Sequence, residues 1–352
     1  MRRNATPLLL FLALLLIAPK AMATKFAGEF LAGGLDARSL AMGGAYAAVS
    51  DDLGALQHNP AGLAFQQGSR LGFMHDERFA GLVQVDHVAF FRQVEFKGRE
   101  GALAFDVLRL GVNNILFTED HPYNDLNENG EFDGIEELPD TFDPRFFRTE
   151  SDQEWLFRGF YARALGDWAL SGGVKVIYQA VGDYSSFGFG LDAGILAPPL
   201  PGHFLFGMRV ADLTGTFIAW STGVQEVVTP SLHPGISWRK VFNSLGAELL
   251  LAMDMEIRFD GLESAAYWSG GKTSFDPHFG LELILADAVF LRAGFARGFG
   301  FEEYGTLGGG LKLARMGEGL WGLPISELSL DYAFGNHIDL DGSHRVGMSL
   351  AF

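Results

Sequence analysis

From Arg70 onward the chain alternates. Phe187, Phe189, Leu191, Ala193 and Ile195 fall on one face of an extended segment, and Gly188, Gly190, Asp192 and Gly194 on the other. Leu328, Leu330, Tyr332 and Phe334 oppose Ser329, Asp331, Ala333 and Gly335 in the same way. One greasy face and one small or charged face at a period of two is a strand pattern. It predicts strands at 70–77, 83–94, 101–111, 152–165, 168–180, 186–197, 203–213, 231–241, 245–256, 275–286, 288–297, 304–315, 326–335 and 343–352. Several reach the ~9–11 residues that a tilted strand needs to cross a bilayer.

The connections segregate by length. Odd ones include the long stretches 112–151, 214–230 and 257–274, whereas even ones such as Gly166-Asp167, Phe242–Ser244 and Asp287 are short, with 316–325 the main exception. Short turns at one end and long loops at the other are what a membrane barrel requires. The expected fold is therefore all-β: a 14-stranded antiparallel transmembrane β-barrel over 69–352, preceded by a segment at 24–68 of a different kind.

Composition agrees. The chain holds 32 Phe and 46 Gly and is 48% hydrophobic, yet no stretch past its first residues has the length of a membrane helix. A large soluble sandwich or propeller has a similar composition, and only the loop parity separates them. Residues 1–23 read as an export signal, with Arg2-Arg3, an apolar run Leu8–Ile17 and a small-residue site Ala21-Met22-Ala23. Bacterial outer membrane is the expected location. Cysteine is absent, which excludes disulfides, thiolate metal sites and a cysteine nucleophile. The formal charge is −17, of which cleavage removes Arg2, Arg3 and Lys20, and such a surface argues against nucleic acid.

The segment Phe26–Gln66 is not strand-like. It contains Gly33-Gly34, Gly43-Gly44, Asp51-Asp52 and Asn59-Pro60-Ala61-Gly62-Leu63-Ala64. The glycine pairs permit turns at positive φ, Ser50 can cap a short helix over 51–58, and Pro60 ends it. The run from Gly33 to Asp52, followed by Asn59–Ala64, resembles the N-terminal signature of PorV/PorQ-type outer-membrane proteins, which are similar in turn to FadL-type transporters of long-chain fatty acids and other hydrophobic compounds. The resemblance in motif covers about forty residues. It implies that this segment is a hatch folded inside a fourteen-stranded barrel, with Gly43, Gly44, Asp51, Asp52, Asn59, Pro60, Ala61 and Gly62 in the hatch or gate. The C-terminal alternation of Val346, Met348, Leu350 and Phe352 resembles the signal by which barrel assembly machinery recognises its clients.

The sharpest local motif lies in the longest loop. Asp125, Asn127, Asn129, Glu131 by its carbonyl, Asp133 and Glu136 occupy the ligand positions of a calcium loop, with Gly130 at the turn. No flanking helices are evident, so a free-standing structural Ca2+ site is expected; an Asn/Asp/Gly-rich surface loop without metal is the plainer reading. Lys175, Asp192, Arg209, Glu248, Asp254, Glu256, Glu282, Arg292, Asp331 and Arg345 should face the lumen, because charge is too costly on the lipid face. Glu282 with Arg292, and Asp331 with Arg345, are candidate pairs. No His lies in a motif with Ser and Asp, so no enzyme is expected.

Two functions follow. Barrel, plug and apolar loops suggest FadL-like passive transport of hydrophobic small molecules, with Phe217, Ile218, Trp220, Tyr267 and Trp268 as an outer capture surface. The PorV resemblance implies instead a component that accepts or anchors secreted proteins at the cell surface. The expected partners are outer-membrane lipid, the assembly machinery, and a hydrophobic molecule or secreted cargo.

Overall fold

A computed structural model describes residues 28, 30, 36–117, 147–259, 268–296, 305–314, 325–336 and 342–352. The strands are β1 (Ser69–Arg78), β2 (Val83–Glu95), β3 (Glu100–Phe117), β4 (Arg148–Leu165), β5 (Trp168–Val181) and β6 (Tyr184–Leu196). β7 has two pieces, β7a (Phe204–Ala211) and β7b (Thr216–Trp220), as has β8, β8a (Gln225–Val228) and β8b (Ser231–Phe242). The round is completed by β9 (Ala247–Arg258), β10 (Thr273–Leu285), β11 (Val289–Ala296), β12 (Gly305–Ala314), β13 (Glu327–Asn336) and β14 (Ser343–Ala351). Each strand pairs antiparallel with its neighbour, and β1 pairs with β14, Arg70 opposite Ala351 through Glu77 opposite His344. The wall is a closed 14-stranded barrel, so no sheet edge is left to aggregate or to meet lipid unpaired. Phe352 completes the seam, exchanging two 3.0 Å backbone hydrogen bonds with Ser69.

The alternation resolves into two faces. Phe105, Phe157, Val174, Phe189, Leu281 and Leu330 are exposed outward, whereas Asp106, Arg158, Lys175, Asp192, Glu282 and Arg292 are buried. All ten charges expected in the lumen lie on inward positions or in contact with the N-terminal segment, and Glu282 meets Arg292 at 2.7 Å. The other expected pair does not form. Asp331 binds Arg292 at 2.5 Å and Arg345 binds Asp76 at 2.8 Å, because Arg345 lies opposite Ala333 and is nearer β1.

Two expected loops are partly wall. Within 214–230, β7b and β8a prolong a strand hairpin. Five residues of β6, from 189 to 193, span eight of β7, from 210 to 217. Asp212 and Gly215 in this bulge have φ of 54° and 76°, and Pro230 lacks an N–H for the ladder, so the period of two is broken on both strands. Within 257–274, Trp268–Gly270 pairs with β10.

Among the described residues three short elements precede the barrel: α1 (Ala37–Ala41), α2 (Ala55–His58) and a 3₁₀ helix at Pro60–Phe65. The expected helix over 51–58 is only its last turn. Ser50 does not cap it; φ there is 38°, and its hydroxyl donates to the Tyr46 carbonyl. Asp51 and Asp52 are drawn into ion pairs instead. The unforeseen α1 is capped by Asp36, which accepts from Ser39 N–H at 2.9 Å.

Candidate functional site

The residues from Asp36 to Phe65 lie against the inward face of the wall, and small residues on both sides set how closely. Met42 and Gly43 run past Gly280 and Gly294, Ala41 past Gly308, and Ala47 past Gly207. A methyl group on Gly280 would stand 2.7 Å from the Met42 carbonyl oxygen. Gly43 is required twice over: its φ is +63°, and a Cβ would come within 2.6 Å of the Phe295 nitrogen. Gly44 also has positive φ, and Gly62 packs directly on Ser50.

Backbone groups that the short elements leave unpaired are taken up by the wall. Asp254 of β9 accepts from the N–H groups of Tyr46 and Ala47, both at 2.7 Å. Asn59 is fully buried; its amide donates to the carbonyls of Ala47 at 2.8 Å and Ile195 at 2.9 Å, while its oxygen accepts from Ala61 N–H. His278 bonds the Gly43 carbonyl at 2.7 Å, and Ser237 donates to Ala48. Arg158 donates to the Gln57 side chain at 2.6 Å and Arg209 to the Gln57 carbonyl, two cations at the C-terminal end of α2.

Arg38 is the hub of the charged contacts. It forks onto Glu282 at 2.8 and 2.7 Å and reaches Asp51 at 2.6 Å and Asp52 at 2.9 Å. Arg239 joins Asp51 to Glu248, both at 2.7 Å, and Arg292 joins Glu282 to Asp331. Burial pushes the Asp36 carboxyl up to about 7, with Asp52 and Asp331 adding to it. Asp51 is half-buried, which also raises it, but Arg38 and Arg239 outweigh that and hold it at about 2. Burial, reinforced by Arg209, keeps His58 well below its ordinary value and hence neutral.

The inner face of β2–β5 is layered. Nearest the short turns, Ala89, Phe91, Ala104 and Phe160 pack on Leu56 and Leu63 of the N-terminal segment. Next comes a polar girdle. His87 meets Asp106 at 2.9 Å, Arg158 pairs with Asp106, and Lys175 sits between Asp192 at 2.8 Å and Asp212 at 2.7 Å. Towards the long connections, inward positions turn apolar again: Val85, Leu108, Leu110, Leu156, Ile177 and Ile218 form one buried cluster. Phe30, 5% exposed, packs into it. An apolar lining on an inward barrel face has no lipid to meet, and the chain's own phenyl ring fills it here.

The proposed capture residues do not form one surface. Ile218 is wholly buried in the apolar cluster with Trp220 packed against it, whereas Phe217 is exposed on the opposite face of β7b and Trp268 is exposed elsewhere. Tyr267 and the calcium-loop residues 125–136 lie outside the described residues. Pro60 and Ala61 are buried beside Asn59, and Val346, Met348 and Phe352 are exposed on the closing strand. Arg38 and Phe30 were missed. Arg38 is the one arginine of the stretch 26–66, amid acidic and small residues, and that isolation was the available signal; nothing marked Phe30.

The architecture has solved counterparts. The Ralstonia pickettii toluene transporter TbuX superposes with a TM-score of 0.50 at 14% identity, covering 90% of this chain and 97% of its own. The P. putida toluene transporter TodX gives 0.51 at 11%, covering 91% and 99%, and a TodX deltaS2S3 mutant monoaromatic hydrocarbon channel gives 0.53 at 12%, covering 90% and 98%. The chain shares the barrel fold of these structures. No protein-family model matches the chain, and no curated protein matches it.

Proposed function

We propose that this chain is a bacterial outer-membrane barrel through which hydrophobic small molecules pass passively, with the segment 24–68 as a hatch. The observation that carries this reading is the inward apolar cluster around Leu108, Ile177 and Ile218, occupied by Phe30. Buried apolar surface costs nothing to a protein that only needs a sealed wall, but here it faces the lumen, beyond the charged girdle. A small hydrophobe that took the place of Phe30 against this cluster would gain roughly 25 cal/mol per Å² of surface removed from water. The exposed outward apolar band supplies the lipid-facing surface that the location needs. The toluene transporters that share the fold lend support by kinship of architecture.

In this reading residues 1–23 are removed on export, Val346–Phe352 address the chain to the assembly machinery, and Ca2+ on Asp125, Asn127, Asn129, Glu131, Asp133 and Glu136 orders the long connection. Uptake of toluene into vesicles containing the purified barrel tests the function. Phe30→Ala is expected to raise the rate several-fold and Ile177→Asp to depress it. Rates equal to those of empty vesicles in all three proteins would overturn the proposal. Co-isolation of a secreted protein with the intact barrel, alongside such a null result, would favour the anchoring role that the PorV resemblance implies.

A further inference from the structure

On the outside of the wall, over β7a to β11, lies a groove of 790 Å3. Two rungs of outward side chains border it. Phe204, Trp238, Leu251, Leu281 and Ala293 stand opposite one another in register along one rung. Ile236, Met253, Phe279 and Phe295 form the rung towards the long connections. The floor is Ser237, Ala252, Gly280 and Gly294, positions whose side chains turn inward or do not exist. Gly280 and Gly294 are also where Met42 and Gly43 sit inside the barrel, so the close inner seat and the outer groove have one cause, a wall reduced to its main chain.

One rung further towards the short turns, roughly 7 Å along the strand, β8b presents Lys240 opposite Leu249. Lys240 is exposed and makes no ion pair among the described residues; its Nζ lies 5.2 Å over the Phe242 ring. An unpaired outward cation at the boundary of an apolar face, in a chain of net charge −17, is complementary to an anion held at the membrane surface. We propose that this groove is a phospholipid site, with an acyl chain along the two rungs and the lipid phosphate on Lys240. The volume falls within the ~300–1,000 Å3 of sites that enclose small ligands. Transported cargo fits less well, since its path is the inner face and it carries no anion by necessity. The proposal rests on the membrane placement argued above and not on transport.

The test uses the full barrel inserted in vesicles of phosphatidylglycerol and phosphatidylcholine, released in mild detergent and weighed intact. Wild type is expected to retain one phospholipid. Ala293→Trp, which fills the groove, should abolish retention; Lys240→Glu should lower it about fivefold or more, and Lys240→Arg should restore it. Lys97 also sits over a phenylalanine, 5.5 Å from the Phe96 ring, but in a turn away from the groove, so Lys97→Glu should change nothing. Equal retention in wild type, Ala293→Trp and Lys240→Glu, or none in wild type, overturns the site. A wild-type barrel that inserts, retains no lipid and still admits toluene would leave transport standing while removing this proposal; one that fails to insert removes the membrane placement and the site together.

Discussion

The two halves of the barrel are both apolar on the outside and differ in their inner faces. Along β2–β5 the inner face is layered, apolar at both ends with a girdle of His87, Asp106, Arg158 and Lys175 between. Along β8b–β13 Arg239, Glu248, Glu282, Arg292 and Asp331 are knitted to Arg38 and Asp51 of the N-terminal segment. The alternation that makes a strand demands only that the inner positions not be lipid-facing. It leaves their chemistry free, and here one half holds the segment through an ion network while the other packs it against apolar side chains. A buried ion network is a poor source of net stability but a good source of specificity, since breaking it on one side strands the partners.

Removing a partner should therefore hit the latched half hardest. Glu282 is fully buried and binds both Arg38 and Arg292. Glu282→Ala removes the one carboxylate that Arg38 and Arg292 share, leaving Arg38 on Asp51 and Asp52 and Arg292 on Asp331; it is expected to cost about 3 kcal/mol, read as lost amide-exchange protection across 36–52, with the barrel strands β2–β5 unaffected. Unchanged protection would show that shape, not charge, holds the segment. Asp254→Ala comes next. It leaves the N–H groups of Tyr46 and Ala47 unpaired in a buried site, at about 1–3 kcal/mol, and protection should fall at 46–47 more than at 59–61, where Asn59 is anchored separately.

What could be read beforehand follows the same division. Strand number and the greasy outer face were legible because lipid imposes a rule on every second residue. β7b and β8a were not, since the bulge at Asp212–Gly215 and Pro230 erase the period locally while the wall continues. Asn59-Pro60-Ala61 stood out as a motif, and the structure shows what each does: Asn59 ties two carbonyls and caps Ala61, and Pro60 starts the 3₁₀ helix where no N–H is needed. Partner choice was not legible. Asp331 and Arg345 looked adjacent by strand order, but a two-residue offset sends Arg345 to Asp76. The apolar cluster went unseen for a similar reason. Leu108, Leu156 and Ile177 belong to three strands, and only register places them opposite one another, with Val85 one rung away opposite Leu110.

The smallest effect should come from a substitution that keeps every shape. Asp36→Asn preserves the cap on Ser39 and removes one carboxylate from the crowd around Asp52 and Asp331. The Asp36 carboxyl is raised from 3.8 to about 7 in the folded chain. Below pH ~4 it is protonated whether or not the segment is docked, so it carries no penalty. As pH rises from about 4 to 7, the undocked form loses its proton and the docked form does not, and docking weakens; above about 7 both are ionised and the loss levels off. Asp51, held at about 2, works in the opposite sense, its contribution fading only as pH falls from about 4 towards 2. Wild-type protection of residues 37–47 should thus decline between pH 4 and 7. Asp36→Asn should flatten that decline and gain of the order of 1 kcal/mol at pH 8. A variant as pH-sensitive as wild type would mean that another group of the latched half titrates in that range.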